Sequence, residues 1–146
     1  MKQTIPTLIG TLLVVALLGA DTRTMQGSGG SIVGWGSQVV GVNLDVGFTS
    51  VAAGSSHSLG LKADGSIVGW GNNSYGQIGV PAPNSGFVAI AGGGGHSLGL
   101  KSDGSIVAWG YNSDGNTNVP APNSGFVAVA AGGYHSLGLK ADGSIV

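Results

Sequence analysis

GSIVAWGYNSDGNTNVPAPNSGFVAVAAGGYHSLGLKAD, residues 104–142, directly follows GSIVGWGNNSYGQIGVPAPNSGFVAIAGGGGHSLGLKSD, residues 65–103, and the two agree at 29 of 39 positions. A copy four residues shorter, 30–64, comes before them without the PAPN segment, and a fourth starts as GSIV at 143–146. His57, His96 and His135 therefore recur every 39 residues, as do Lys62, Lys101 and Lys140, and Asp64, Asp103 and Asp142. A period of this length, made of short strands and turns, specifies a repetitive β array rather than a single catalytic domain. Function is then to be sought where the copies differ.

Three strands are predicted in each copy. FVAVA (126–130) alternates Phe126, Ala128 and Ala130 against Val127 and Val129, so neither face is polar and both call for cover. HSLGLK (135–140) places His135, Leu137 and Leu139 opposite Ser136, Gly138 and Lys140, and the small residues let a neighbouring sheet come close. Asp-Gly at 64–65, 103–104 and 142–143 then predicts a tight hairpin, because glycine accepts the positive φ such a turn requires. SIVGW or SIVAW follows as the third strand. Small sheets that are apolar on both faces and recur at this period fit the blades of an all-β propeller, packed face to face. A β-solenoid competes, but its coils are shorter and lack the antiparallel Asp-Gly hairpin. Helical repeats are excluded, since no 3.6-residue apolar period follows residue 26 and each glycine costs a helix about 1 kcal/mol.

The recurring motifs carry a family resemblance. GYHSLGLKADGSIV (133–146), GGHSLGLKSDGSIVAWG (94–110) and WGNNSYGQIG (70–79) resemble the repeat of the regulator of chromosome condensation superfamily. The short unit and the VPAPNSGFVAVAAG connection are similar to the bacterial branch that includes the β-lactamase inhibitory protein propeller. The resemblance covers 30–146 and implies a seven-bladed ring of three-stranded blades. In the third copy Gly-Gln becomes Gly115-Asn116, and in the first copy SQVVGVNLD replaces the whole segment. Seven blades at this period need roughly 270 residues. About three are present here, so the expectation is an incomplete propeller, a fragment of a longer ring, with blade faces left open to self-association.

Composition narrows the class. With 30 glycines, 42% apolar residues and 8% charged among 146, the chain is too hydrophobic for a disordered glycine-rich linker. A net charge of -1 without clustered Lys or Arg argues against nucleic-acid binding. No cysteine is present, which excludes disulfides, thiol nucleophiles and Cys-ligated zinc. At the N-terminus Lys2 precedes an apolar run from Ile5 to Ala20, the layout of a secretory signal peptide and slightly short for a bilayer span. Residues 1–20 are thus expected to direct export, 21–29 to form a flexible lead-in, and no other segment to meet a membrane. The mature protein is expected to be secreted, periplasmic or on the cell surface.

The repeated polar residues read as framework. Equivalent histidines on adjacent blades stand too far apart for shared metal ligation, and each can satisfy a backbone carbonyl at the start of its strand. Asp before Gly is explained by turn chemistry. No Glu is present, and Asp45 and Asp114 occupy non-equivalent loops, so a glycosidase carboxylate pair has no support. NSDGN (112–116) lacks the downstream bidentate Glu of a calcium loop, GGGG (92–95) lacks the Gly-Lys-Ser/Thr of a phosphate cradle, and GSSHS (54–58) lacks the second glycine of a nucleophile elbow. Trp35, Trp70 and Trp109 recur at one strand position and read as inter-blade core rather than as sugar-stacking rings. No catalytic residue, metal or cofactor is assigned.

Copy-to-copy variation points elsewhere. Of the ten differences between the second and third copies, five fall within 72–79 and the counterpart 111–118. Loops on a rigid scaffold are where binding specificity resides. They offer Tyr75, Gln77, Tyr111, Asp114 and Asn116, joined by Tyr134 in the glycine turn, and tyrosine suits protein-binding surfaces. The expected function is non-enzymatic binding of a macromolecule, a protein above all. The alternatives are guanine-nucleotide exchange on a small GTPase, which the resemblance implies, and a carbohydrate-binding or hydrolytic propeller.

Overall fold

The computed structural model describes residues 47–146. The export segment 1–20, the lead-in 21–29 and the opening SIVGW strand of the first copy, with Trp35, lie outside the described residues. Eight strands follow: β1 (Phe48–Ala53), β2 (His57–Lys62), β3 (Ile67–Gly71), β4 (Phe87–Gly92), β5 (His96–Lys101), β6 (Ile106–Gly110), β7 (Phe126–Ala131) and β8 (Ser136–Lys140). They pair in antiparallel sheets β1-β2-β3, β4-β5-β6 and β7-β8, and Ile145 bridges to Leu139 where a third strand would begin on the last sheet. These are blades of a β-propeller, three of them among the described residues. Among the described residues no helix is long and apolar enough to cross a membrane.

Blade and sequence copy are out of phase. Copy 65–103 contributes β3 to the first blade and β4 and β5 to the second, because the Asp-Gly hairpin that opens each copy joins two strands of one sheet. In that hairpin Lys62 O accepts from Gly65 N at 3.0 Å and Lys62 N donates to Ser66 O at 2.8 Å. Gly65, Gly104 and Gly143 adopt φ of 77°, 79° and 86°, the left-handed conformation that closes a three-residue turn. Asp64 Oδ1 accepts from both the hydroxyl and the amide of Ser66, at 2.6 and 2.9 Å, and Asp103 and Asp142 do the same with Ser105 and Ser144. The hydroxyl bond first, then the amide bond, holds each carboxyl below its ordinary pKa.

A β-bulge corrects the expected alternation. The register runs Phe126↔Lys140 and then Ala128↔Leu139, skipping Val127, with the same irregularity at Phe48/Ser50 and Phe87/Ala89. One extra residue moves the phenylalanine to the other face. Phe126 therefore lies with Val129 and Gly138, not with Ala128 and Ala130. Val88 and Val127, the bulged residues, are 54% and 53% exposed rather than covered. The glycine face also differs from expectation: the ring of Phe87, from the adjacent strand of the same sheet, fills the space over Gly99, where a Cβ would lie 2.5 Å from the ring. Phe126 does the same over Gly138.

Blades stack through these rings. Leu59 and Leu61 of the first blade bury against Phe87 and Ile90 of the second; Leu98 and Leu100 of the second bury against Phe126 and Val129 of the third. Trp109 joins the first of these clusters, as expected of core, and Trp70 is likewise buried. On the third blade the equivalent Leu137 and Leu139 are 41% and 38% exposed, against 1% and 3% for Leu98 and Leu100. The PAPN segment guards the outer edge: Asn84 accepts from Ile67 N and donates to Ile67 O, both at 2.8 Å, and Asn123 repeats this on Ile106. A side-chain amide thus occupies edge groups that would otherwise invite another strand.

Candidate interaction site at one end of the blades

Antiparallel strands put the variable segments together. The ends of β1, β4 and β7, the starts of their partners and the ends of β3 and β6 share one end, so turns 54–56, 93–95 and 132–135 adjoin loops 72–79 and 111–118. The Asp-Gly hairpins lie at the opposite end. Tyr75, Tyr111, Asp114 and Tyr134 all belong to the first end. Tyr75 and Tyr111 meet edge to face, with centroids 5.0 Å apart, and Tyr75 is 58% and Tyr134 72% exposed.

Gln77 and Asn116 are not displayed, contrary to expectation. Each is buried, at 2% and 6% exposure, because each loop folds back under its own tip to close the seam between blades. Gln77 Oε1 accepts from Tyr75 N and its Nε2 donates to Asn72 Oδ1, both at 2.9 Å. Asn116 is one methylene shorter and turns inward, donating to His96 Nδ1 at 2.9 Å. These two residues shape the loops and do not face a partner.

The seams carry a polar chain that was not foreseen. Ser97 Oγ donates to Gln77 O at 2.8 Å and stands 2.9 Å from His57 Nε2. Its single hydroxyl proton being used, the serine accepts from His57, which fixes the Nε2–H tautomer. His96, Ser136 and Asn116 O repeat the arrangement at 3.0 and 2.6 Å. The histidines were expected to satisfy backbone carbonyls directly; the serine stands between. Its position in every HSLGLK copy was the available signal. Burial, and secondarily the charge of His96, depresses the pKa of His57; burial depresses His96, with the His135 backbone opposing. Unfolding returns both to about 6.5, so across lower pH the unfolded chain binds more protons. Stability is therefore complete above about pH 6.5 and lost as pH falls below it. Melting temperatures measured from pH 8 to 5 should drop below this point, and the drop should shrink in a His57→Gln/His96→Gln double variant; a flat profile would mean that burial does not hold these imidazoles neutral.

The two seams are built differently at their tips. Gly95 leaves room for the tyrosine pair, since a Cβ there would lie 3.1 Å from Tyr75 Cδ2 and 3.2 Å from Tyr111 Cβ. One repeat later Asp114 stands in Tyr75's place and Tyr134 in Gly95's. Bulk has moved from loop to turn. Beneath Tyr134 lies a cleft of about 230 Å³ lined by Asp114, Asn116, Ser136, Leu98 and Ile106. At the first seam the matching space holds Trp109, whose Nε1 donates to Gln77 O at 2.8 Å. Among the described residues no group of three or more His, Cys, Asp or Glu could hold a metal ion.

A family model described as regulator of chromosome condensation (RCC1) repeat matches residues 48–77 and 87–116. No curated protein matches the chain in sequence. Among solved structures it is similar to Prp20p from Saccharomyces cerevisiae, at 26% identity and TM-score 0.60, covering 67% of this chain and 30% of that one. It is similar to human WBSCR16, at 28% identity and TM-score 0.57 over 67% of this chain and 32% of that one. The CRINKLY WD40 ectodomain of the Arabidopsis thaliana receptor kinase ACR4 gives 30% identity and TM-score 0.51, over 68% and 35%. The chain spans about a third of the length of these structures.

Proposed function

Since the chain carries repeats of the regulator of chromosome condensation family, we propose that it is an exported, non-catalytic propeller protein that binds a protein partner through the end bearing Tyr75, Tyr111 and Tyr134. One observation carries the reading: most of the positions that vary between near-identical copies, and the exposed tyrosines, fall at the same end of the blades. A scaffold conserved between copies with a varied aromatic rim is how a binding face is built. Prp20p, described with its binding to Gsp1p and histones, supports the same class of activity. Carbohydrate stacking on Trp70 or Trp109 loses its basis, because both are buried. The apolar run from Ile5 to Ala20 supports export.

Photo-crosslinking tests the binding face. A benzoylphenylalanine at Ser113, in the variable loop, should trap one partner, and the same probe at Ser102, at the opposite end, should trap none; equal labelling overturns the reading. Fusion of residues 1–29 to a leaderless reporter should place it outside the cytosol. Nucleotide exchange on a small GTPase is the second reading, favoured by the likeness to Prp20p. It requires the chain to speed release of labelled GDP from such a GTPase, and no acceleration removes it.

A further inference from the structure

Charge divides the two ends unequally. Among the described residues the ionised side chains are Lys62, Lys101 and Lys140, and Asp64, Asp103, Asp114 and Asp142. All three lysines sit at the hairpin end, balanced there by three aspartates. Each lysine lies over a phenylalanine ring, at 5.7, 3.9 and 4.9 Å from the centroid, and Lys101 Nζ also donates to the carbonyls of Pro83 and Ser85. Of these side chains the aromatic end holds Asp114 alone, exposed and on the same cleft as Tyr134, with no lysine at that end among the described residues. His135 is the remaining titratable group on that rim besides the tyrosines.

We infer that the aromatic end recognises a basic, arginine-bearing segment of its protein partner. The inference rests on the binding face proposed above and names its chemistry. Exposed tyrosine faces attract a guanidinium through the ring quadrupole, and arginine stacks on such rings better than lysine. Asp114 supplies the countercharge at the seam where Tyr134 rises from the turn, and both line the same cleft mouth. The Tyr75–Tyr111 pair supplies a second ring surface one seam away. An acidic segment would find only a carboxylate and electron-rich faces. A neutral apolar one would leave Asp114 unpaired.

The test is titration of the isotope-labelled chain with an eight-residue peptide alternating Gly and Arg, beside its Lys, Glu and citrulline counterparts, followed by NMR. Citrulline keeps the shape of arginine without its charge. The Arg peptide should shift resonances of loops 72–79 and 111–118 and of Tyr134, and bind about tenfold tighter than the citrulline peptide, weakening as salt is raised. Tyr75→Ser and Tyr134→Ser should each weaken it about two- to fivefold. Asp114→Asn should reduce its salt dependence, and Asp64→Asn, at the other end, should change neither. Equal binding of Arg and citrulline peptides, or no binding of the Arg peptide, overturns the inference. Crosslinking from Ser113 would still stand in that event. Loss of that crosslink would instead sink the face itself.

Discussion

Gly110→Ala is expected to cost about 2–6 kcal/mol, a large share of what a domain of this size possesses. Gly110 ends β6 at φ 101°, where an L side chain is strained by roughly 1–3 kcal/mol. The added Cβ would also lie 2.6 Å from Gly95 O, 2.9 Å from His96 Cα and 3.2 Å from Gln77 Cα. These are backbone atoms of two segments locked in the seam, and they cannot rotate aside. Overlap of that kind adds about 1–3 kcal/mol. Gly133→Ala is the control, since a Cβ there meets nothing within 4 Å, and it should change stability by less than about 1 kcal/mol. Urea midpoints of the two variants give the comparison. Equal midpoints would mean that the seam at Gly110 is looser than described.

Trp109→Ala is expected to cost about 3–5 kcal/mol and to loosen the packing of the first blade on the second. The indole, 6% exposed, fills the core beside Leu59, Leu61 and Ile67 and meets the Phe87 ring at 6.5 Å between centroids. Its Nε1–H is one of two donors to Gln77 O, the other being Ser97 Oγ. Trp109→Phe should therefore cost much less than Trp109→Ala, on the order of 1 kcal/mol for the lost hydrogen bond plus a little area, because the carbonyl keeps its serine. Thermal unfolding followed by circular dichroism separates the cases. Similar losses in both variants would show that the hydrogen bond, not the burial, dominates.

The strands, the hairpins and the buried tryptophans were legible because each rests on a local signal repeated in register. Asp-Gly at 103–104 dictates its turn by backbone conformation alone, and Trp109 recurs at the position of Trp70. The bulge at Val127 was not legible. FVAVA alternates cleanly in sequence, and only pairing with LGLK, where Phe126 must cover Gly138, brings in the extra residue. Nor could the sequence separate Gln77 from Tyr75. Both are polar-capable residues in one variable loop, and which of them turns under depends on reaching Asn72 and the Tyr75 amide. The seam is a relation between residues 40 apart, as with His57 and Ser97, and a period of 39 conceals it by making every copy look self-sufficient.

The seam of His57, Ser97 and Gln77 O has a direction. The leucine face of each blade carries the proton donor and the phenylalanine face carries the acceptor. Two leucine faces brought together would offer neither imidazole a serine, and two phenylalanine faces would offer the serines neither an imidazole nor the loop carbonyl that Gln77 supplies. The polar seam is therefore completed when blades follow one another head to tail, like stairs that all rise the same way, each face bringing what the facing one lacks.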